Sequence, residues 1–177
     1  MRLAGKARHL MLSSGAIFSP CKKYRYTLWR AWEIPEFPQV CLWIMLNPSV
    51  ADEKINDPTV ARCIKYSQGW GFTGLIVCNI FAVRSTDPRI LYNQPNCIGP
   101  ENDAHITRCI KSADKIICAW GNHGQIDGRG KRVLEMISDS GKTPYCLEQN
   151  SGGEPKHPLY CAGNLAMTPM ISDELRF

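Results

Sequence analysis

The run Cys41-Leu42-Trp43-Ile44-Met45-Leu46 limits what this chain can fold into more than any other stretch. It is apolar throughout and has no polar face. Such a segment reads as a strand buried on both faces, as in a parallel sheet. It stops on Asn47-Pro48-Ser49. Pro48 cannot donate to a sheet ladder and drives Asn47 into an extended or turn conformation. The strand is therefore expected to end at Asn47, with a polar side chain at its carboxyl end. In open α/β sheets ligands sit just outside those ends. Asn47-Pro48-Ser49 is the expected floor of an active site.

Two more apolar runs end the same way. Leu75-Ile76-Val77-Cys78 stops on Asn79, and Ile116-Ile117-Cys118-Ala119-Trp120 stops on Gly121. A shorter strand is expected at Tyr145-Cys146-Leu147. Helical patterns lie between them. Asp57-Pro58 has the form of an N-cap followed by proline at the first helical position. Val60 and Ile64 then keep helical spacing as far as Gly69. Asp87 to Leu91 predicts a short helical turn. Glu101 to Ser112 and Arg129 to Ser138 predict two further helices, with Gly141 suited to a C-cap. Strands alternating with helices, all strands apolar, argue for a three-layer α/β/α domain around a mostly parallel, four-stranded sheet.

Residues 1–20 are weakly patterned. Lys22 to Trp32 alternates, with Tyr24, Tyr26 and Leu28 on one side and Arg25, Thr27 and Trp29 on the other. That predicts a half-buried N-terminal strand, or a hairpin, with a basic and aromatic outer face. Either gatekeeper charges on an edge strand or a nucleic-acid contact would explain it. The 177 residues suit one domain, 1–177, with a core at about 40–162 and an N-terminal extension at 1–39.

Charge and cysteine usage narrow the function classes. A net charge of +5 permits nucleic-acid binding without requiring it. The cysteine count, nine, is odd, several lie in apolar runs, and no C-x-x-C occurs. That argues for free thiols in a reducing cytoplasm and against a disulfide framework, a zinc ribbon or a cysteine-held cluster. No metal and no cofactor is expected. No window approaches the ~20 apolar residues of a membrane span, and Met1-Arg2-Leu3-Ala4-Gly5-Lys6 does not open a secretory signal.

Four segments, each at or just past a strand end, resemble in order the motifs of the uracil-DNA glycosylase superfamily. Met45-Leu46-Asn47-Pro48-Ser49 looks like its water-activating motif. Ile76 to Arg84 resembles the strand whose terminal asparagine reads a pyrimidine edge. Ile116 to Gly121 is similar to the strand ending in Leu-Trp-Gly. Lys156-His157-Pro158-Leu159 looks like the His-Pro-Ser loop that holds the catalytic histidine. The chain departs from the pattern at two places. Met45-Leu46 and Asn47 stand where a leading glycine and usually an aspartate are found, and Leu159 stands where a serine would grip a phosphate. The chain also resembles a family of short bacterial and phage proteins carrying only a domain-of-unknown-function label. Tyr24 to Arg30, Leu46-Asn47-Pro48-Ser49-Val50-Ala51-Asp52, Asn56-Asp57-Pro58-Thr59 and Gly121-Asn122-His123-Gly124 carry that match.

The first resemblance implies a uracil-DNA-glycosylase-like fold and an enzyme acting on a pyrimidine flipped out of DNA. Such an enzyme would cut the N-glycosidic bond or modify the base, as in phage or bacterial DNA modification. Asn47 would orient water, but an amide is no general base, so a carboxylate must be sought nearby, at Asp52 or Asp57. His157 would stabilise a developing anion. Asn79 would read the base edge, Phe81 would stack on it, and Pro48, Ser49, Gly121, Asn122 and His123 would line the pocket. Arg25, Arg30, Arg84 and Lys156, with Arg129 and Lys131 behind them, are the expected DNA contacts. Two other readings stand beside this one: a non-catalytic nucleic-acid or nucleotide binder on the same fold, and a small-molecule α/β enzyme using the same strand-end pocket. A basic groove beside Asn47 and Asn79 would separate the DNA readings from the last.

Overall fold

A computed structural model describes residues 11–170; the opening segment Met1 to Lys6 lies outside them. Three crossover units form the centre. β3 (Val40–Met45) leads through α1 (Pro58–Gly69) to β4 (Gly74–Asn79). From β4 the chain passes through the short α2 (Ile90–Asn93) and α3 (Asn102–Ser112) to β5 (Lys115–Ala119). It then runs through α4 (Arg129–Asp139) to β6 (Pro144–Cys146). β4, β3, β5 and β6 are parallel neighbours in that order.

The full sheet has seven strands, where a four-stranded centre with an N-terminal strand or hairpin was expected. β1 (Ser13–Phe18) and β2 (Arg25–Ala31) form an antiparallel hairpin on the β4 edge, and β7 (Thr168–Pro169) pairs antiparallel with β6. Three antiparallel edge strands thus flank a parallel centre. β2 falls within the N-terminal strand expected over Lys22 to Trp32; β1 and the two-residue β7 are edges whose apolar pattern is too weak to read in sequence.

The alternation of β3 explains the layering. Leu42 and Ile44 face α3 and α4, where they meet Ile106, Ile110, Val133 and Ile137. Cys41, Trp43 and Met45 face α1, where they meet Val60, Cys63 and Tyr66. All five strand residues are buried, as a strand covered on both faces requires. The eight cysteines other than Cys21 are buried and unpaired, so they act as small core hydrophobes.

One irregularity shapes the hairpin. Ile17 pairs with Thr27 but Phe18 pairs with Arg25, so Tyr26 bulges out of the β2 ladder. A bulge reverses the alternation of the strand beyond it. Tyr24 and Tyr26 therefore join the α3 side, while Leu28 joins the α1 side, so these three do not share a face. The bulge also sends Arg25 and Arg30 to the same loop. Arg25 Nη1 donates to the Ala51 carbonyl at 2.7 Å, and Arg30 Nη2 donates to the Asp52 carbonyl at 2.6 Å.

Candidate functional site

α1 begins where the sequence marks it. Asp57 is the N-cap, its Oδ1 accepting from Val60 N at 2.8 Å, and Pro58 follows as the first helical residue. β3 ends at Met45 and the chain turns through Asn47-Pro48-Ser49. β4 ends on Asn79, and β5 runs into Trp120 and Gly121. The loop 147–156 is pinned to that end by Gly121 N, which donates to the Pro155 carbonyl at 2.8 Å. The turn after it, Pro158–Tyr160, is held against α1 by Arg62 Nη2 on the Cys161 carbonyl at 2.6 Å.

These ends enclose a cavity of about 540 Å³. Asn47, Ser49, Asp57, Asn79, His123 and His157 all line it, as do Arg25, Gly121, Asn122 and Lys156. Trp120, Met45, Leu46 and Val60 give it an apolar side.

Hydrogen bonds fix the amide of each asparagine. Arg25 Nη2 donates to Asn79 Oδ1 at 3.3 Å. A guanidinium can only donate, so the oxygen must face it, and among the described residues the Asn79 Nδ2 donors have no protein acceptor. Asn47 is set the opposite way. Its Nδ2 donates to the Ser85 carbonyl at 2.8 Å and the Pro48 carbonyl at 3.3 Å. That leaves Asn47 Oδ1 as the acceptor without a partner among the described residues. The cavity thus receives donors from one asparagine and an acceptor from the other.

His157 is oriented by its own turn. Leu159 N donates to His157 Nδ1 at 3.4 Å. Burial pushes the ring below its ordinary pKa, against the opposing charge of Asp57. A neutral ring with Nδ1 accepting carries its proton on Nε2, so His157 offers an N–H.

Arg25 is 2% exposed. Burial pulls its pKa down to about 10, against the raising effect of the Asp57 carboxylate. Asp57 is thus one charge with three relations: it caps α1, it opposes Arg25, and it acts on His157 from the cavity wall.

The glycines of Gly121-Asn122-His123-Gly124 have separate reasons. Gly121 has φ +72° with ψ −171°, a region open in practice to glycine alone. A Cβ on Gly124 would lie 2.0 Å from Trp120 Cδ1, so only glycine lets the chain close over that ring. Both their N–H groups are taken, by the carbonyls of Pro155 and Gly121, so these two are not the backbone donors for a ligand that the flanking glycines suggested. His123 Nδ1 lies 2.7 Å from Tyr92 Oη at the mouth, and Asn150 Nδ2 donates to Asn122 Oδ1 at 2.8 Å.

Several expected residues lie elsewhere. Asp52 turns back on its own loop, accepting from the N–H groups of Lys54 and Ile55. Phe81 is 2% exposed, packed in the α3 side of the core, and lines a separate cavity under the loop 94–100. Arg30 is 1% exposed and bonded to Asn56, Gly15, Trp29, Asp52 and Ile55, so it is not on an outer face. Arg129 is buried against the Ile80 carbonyl and paired with Asp103. Pro48 does not line the cavity; its carbonyl accepts from Asn47 Nδ2 and from Ser85 N and so only holds Asn47 in place. Lys156 reaches the rim but is paired with Glu148 at 3.0 Å. Arg84 lines a neighbouring cleft. Sequence reasoning missed Thr59, Ser85, Trp120, Asn150 and Tyr160 as lining residues. Trp120 alone carried a signal, as the last apolar residue before Gly121.

A family described as protein of unknown function (DUF1643) matches residues 25–159, about three-quarters of the chain. The chain belongs to this family. The match starts at Arg25 and ends at Leu159, so it spans the site from its buried arginine to the histidine turn. No curated protein and no solved structure matches the chain.

Proposed function

We propose that the cavity receives a pyrimidine base turned out of DNA and that the protein processes that base. The observation that carries this reading is the opposed setting of the two asparagines. Asn79 offers donors and Asn47 an acceptor. A pyrimidine edge presents carbonyl oxygens beside a ring N–H or an amine, and so answers both. The likeness of the four strand-end segments to the uracil-DNA glycosylase superfamily supports the same reading. So does a cleft lined by Lys22, Lys23 and Arg84 that shares Ser49, Ser85 and Thr86 with the cavity. A basic groove at this place favours the DNA readings over a small-molecule enzyme.

The parts have separable roles. Asn47 Oδ1 orients a water but cannot take its proton. Asp57 is the one carboxylate among the residues lining the cavity, and its second oxygen has no partner among the described residues, so it supplies the base. His157 gives its Nε2–H to an oxygen that gains charge as the glycosidic bond stretches or as the ring is attacked. Trp120 forms part of the apolar side for the ring. N-glycosylase action and modification of the base in place both fit this set.

Oligonucleotides bearing uracil, 5-substituted uracils and mismatches, treated with the protein and then with alkali, separate these outcomes. Strand scission that is lost in Asn47→Ala and His157→Ala is the expected result for a glycosylase. A changed nucleoside mass without scission identifies base modification. Salt-dependent binding that survives both substitutions, with neither product, would leave a non-catalytic binder.

A further inference from the structure

Beside the base cavity, the turn between β1 and β2 and the loop after β4 build a cluster of cations. Lys22 sits in left-handed backbone at φ +59°, closed by its N–H on the Ser19 carbonyl at 2.9 Å. Arg84 N donates to the Lys23 carbonyl at 3.1 Å, and Arg84 Nη1 donates to the Lys22 carbonyl at 3.3 Å. Lys22 Nζ and the Arg84 guanidinium lie 4.7 Å and 4.9 Å from the centre of the same ring, Phe18. Lys23 Nζ lies 5.4 Å from the Tyr24 ring. Among the described residues none of the three cations has a carboxylate partner. Asp87 is paired with Arg89 at 2.8 Å, and Asp52, held by the N–H groups of its own turn, acts on Arg84 without forming an ion pair. Arg84 Nε is buried with no acceptor.

Like charges held on one ring without an anion repel one another, and aromatic contacts offset only part of that cost. An anion bound among them removes it. The cleft has a volume of about 470 Å³ and is lined by Lys22, Lys23 and Arg84 with Ser49, Ser85 and Thr86. The last three also line the base cavity. Ser85 Oγ is already spent on Asp87, but the Ser49 and Thr86 hydroxyls on the shared wall, with the cations behind them, are what a phosphodiester takes.

We infer that this cleft binds the phosphodiester backbone flanking the nucleotide whose base enters the cavity, so that the substrate is a polynucleotide and not a free base or nucleoside. The inference rests on the base-binding reading for the identity of the neighbouring group. The cleft itself is a separate set of residues, and the hairpin that carries two of its cations lies outside the parallel core.

The test compares wild type with a Lys22→Asn/Lys23→Gln double variant. Both lysines are exposed, and asparagine tolerates the left-handed backbone at position 22. Thermal melting checks that the fold is kept, and Arg84→Gln is the second variant. The probes are a labelled single-stranded oligonucleotide containing deoxyuridine, free deoxyuridine and inorganic phosphate. The double variant should bind the oligonucleotide about tenfold more weakly at low salt, with its log–log salt slope shallower by about 1.4, two contacts at about 0.7 each. Deoxyuridine binding should be the same in both proteins. If oligonucleotide binding depends on the lysines but neither protein binds deoxyuridine, the phosphate cleft stands and the base pocket falls. An unchanged affinity and slope in both the double variant and Arg84→Gln would overturn the inference. So would wild-type binding of inorganic phosphate as tight as that of the oligonucleotide.

Discussion

The strand ends and the edge hairpin contribute to the same cavity in different ways. β3 and β4 lead into Asn47 and Asn79, whose spare acceptor and donors are open to a ligand, and β5 leads into the turn at Gly121, which closes the wall beside them. The hairpin contributes Arg25, whose mapped hydrogen bonds go to the protein, one to Ala51 and one to Asn79. The strand ends carry the chemistry; the hairpin sets its orientation. Without the Arg25 contact the Asn79 amide could rotate by half a turn, and its donor edge would become an acceptor edge. A recognition surface made of amides needs such a second layer, because an amide alone presents either edge at little cost.

The sharpest way to break this contrast is Arg25→Met. It fills part of the volume but removes the donors for Ala51 O and Asn79 Oδ1 and the cation facing Asp57. Leaving a buried acceptor without its donor costs about 1–3 kcal/mol for each of the two. Urea denaturation should show a loss of that size, and ligand binding in the cavity should go with it. A loss under about 1 kcal/mol would mean that the hairpin merely covers the sheet edge.

Two glycines give the next test, one from each region. A Cβ on Gly124 would meet Trp120 Cδ1 at 2.0 Å, and a Cβ on Gly15 would meet Trp29 Cζ2 at 2.1 Å. The clashes are alike, but the rings are not. Trp120 is 1% exposed and cannot yield, whereas Trp29 is only half-buried and can swing outward. Gly124→Ala should cost about 1–3 kcal/mol and deform the cavity wall. Gly15→Ala should cost less and leave ligand affinity intact. Equal losses in the two melts would erase the distinction between a fixed strand-end wall and an adjustable hairpin.

The same contrast decides what can be read from the sequence. Asn47, Asn79, Gly121 and His157 were legible because each breaks a local pattern, an apolar run or an isolated His-Pro turn. The α/β class and three of the four helices followed from periodicity, while the turn expected at Asp87 to Leu91 forms slightly later, as α2 at Ile90–Asn93. The place of Arg25 was not legible. It depends on the bulge at Tyr26, and a bulge is a property of two paired strands and leaves no mark in one. Arg30 was expected to contact DNA, yet alternation already puts it on the Leu28 side of the strand, where it is buried against the loop 52–56. Asp57 was half legible: its capping role is local, while its second role needs β2 and the histidine turn beside it. Phe81 follows Asn79 closely in sequence, yet it packs on the other side of the sheet from α1.

Asp57 allows those two roles to be separated. Asparagine caps a helix about as well as aspartate, so Asp57→Asn should change stability by no more than about 0.5 kcal/mol. Asp57→Ala removes the cap as well and should cost about 1 kcal/mol. Turnover should be lost in both if the carboxylate is the base. If Asp57→Asn keeps the rate of wild type on the oligonucleotide substrate, the carboxylate is only a cap, and the strand ends alone must account for the chemistry.

The smallest effect concerns His157 and shows in the acid limb of the stability curve. Burial lowers its pKa in the folded protein from the ordinary 6.5. Between the folded and unfolded values the unfolded chain binds the proton and the folded chain does not. Stability therefore rises with pH across that window, is complete above about pH 6.5, and is lost as pH falls below it. His105, also lowered by burial and by Arg108, adds to the same limb. The comparison with His157→Gln isolates the share of the cavity histidine, because His105 lies on α3, across the sheet. The variant should show a shallower fall below about pH 6.5 in thermal melts at matched ionic strength. Its residual slope should vanish in a His105→Gln/His157→Gln double variant if no other group titrates there. A wild-type curve that instead gains stability as pH drops through this range would mean that His157 is charged in the folded state. It would then face the cavity as a cation paired with Asp57, and the neutral Nε2–H donor assigned to it would be wrong.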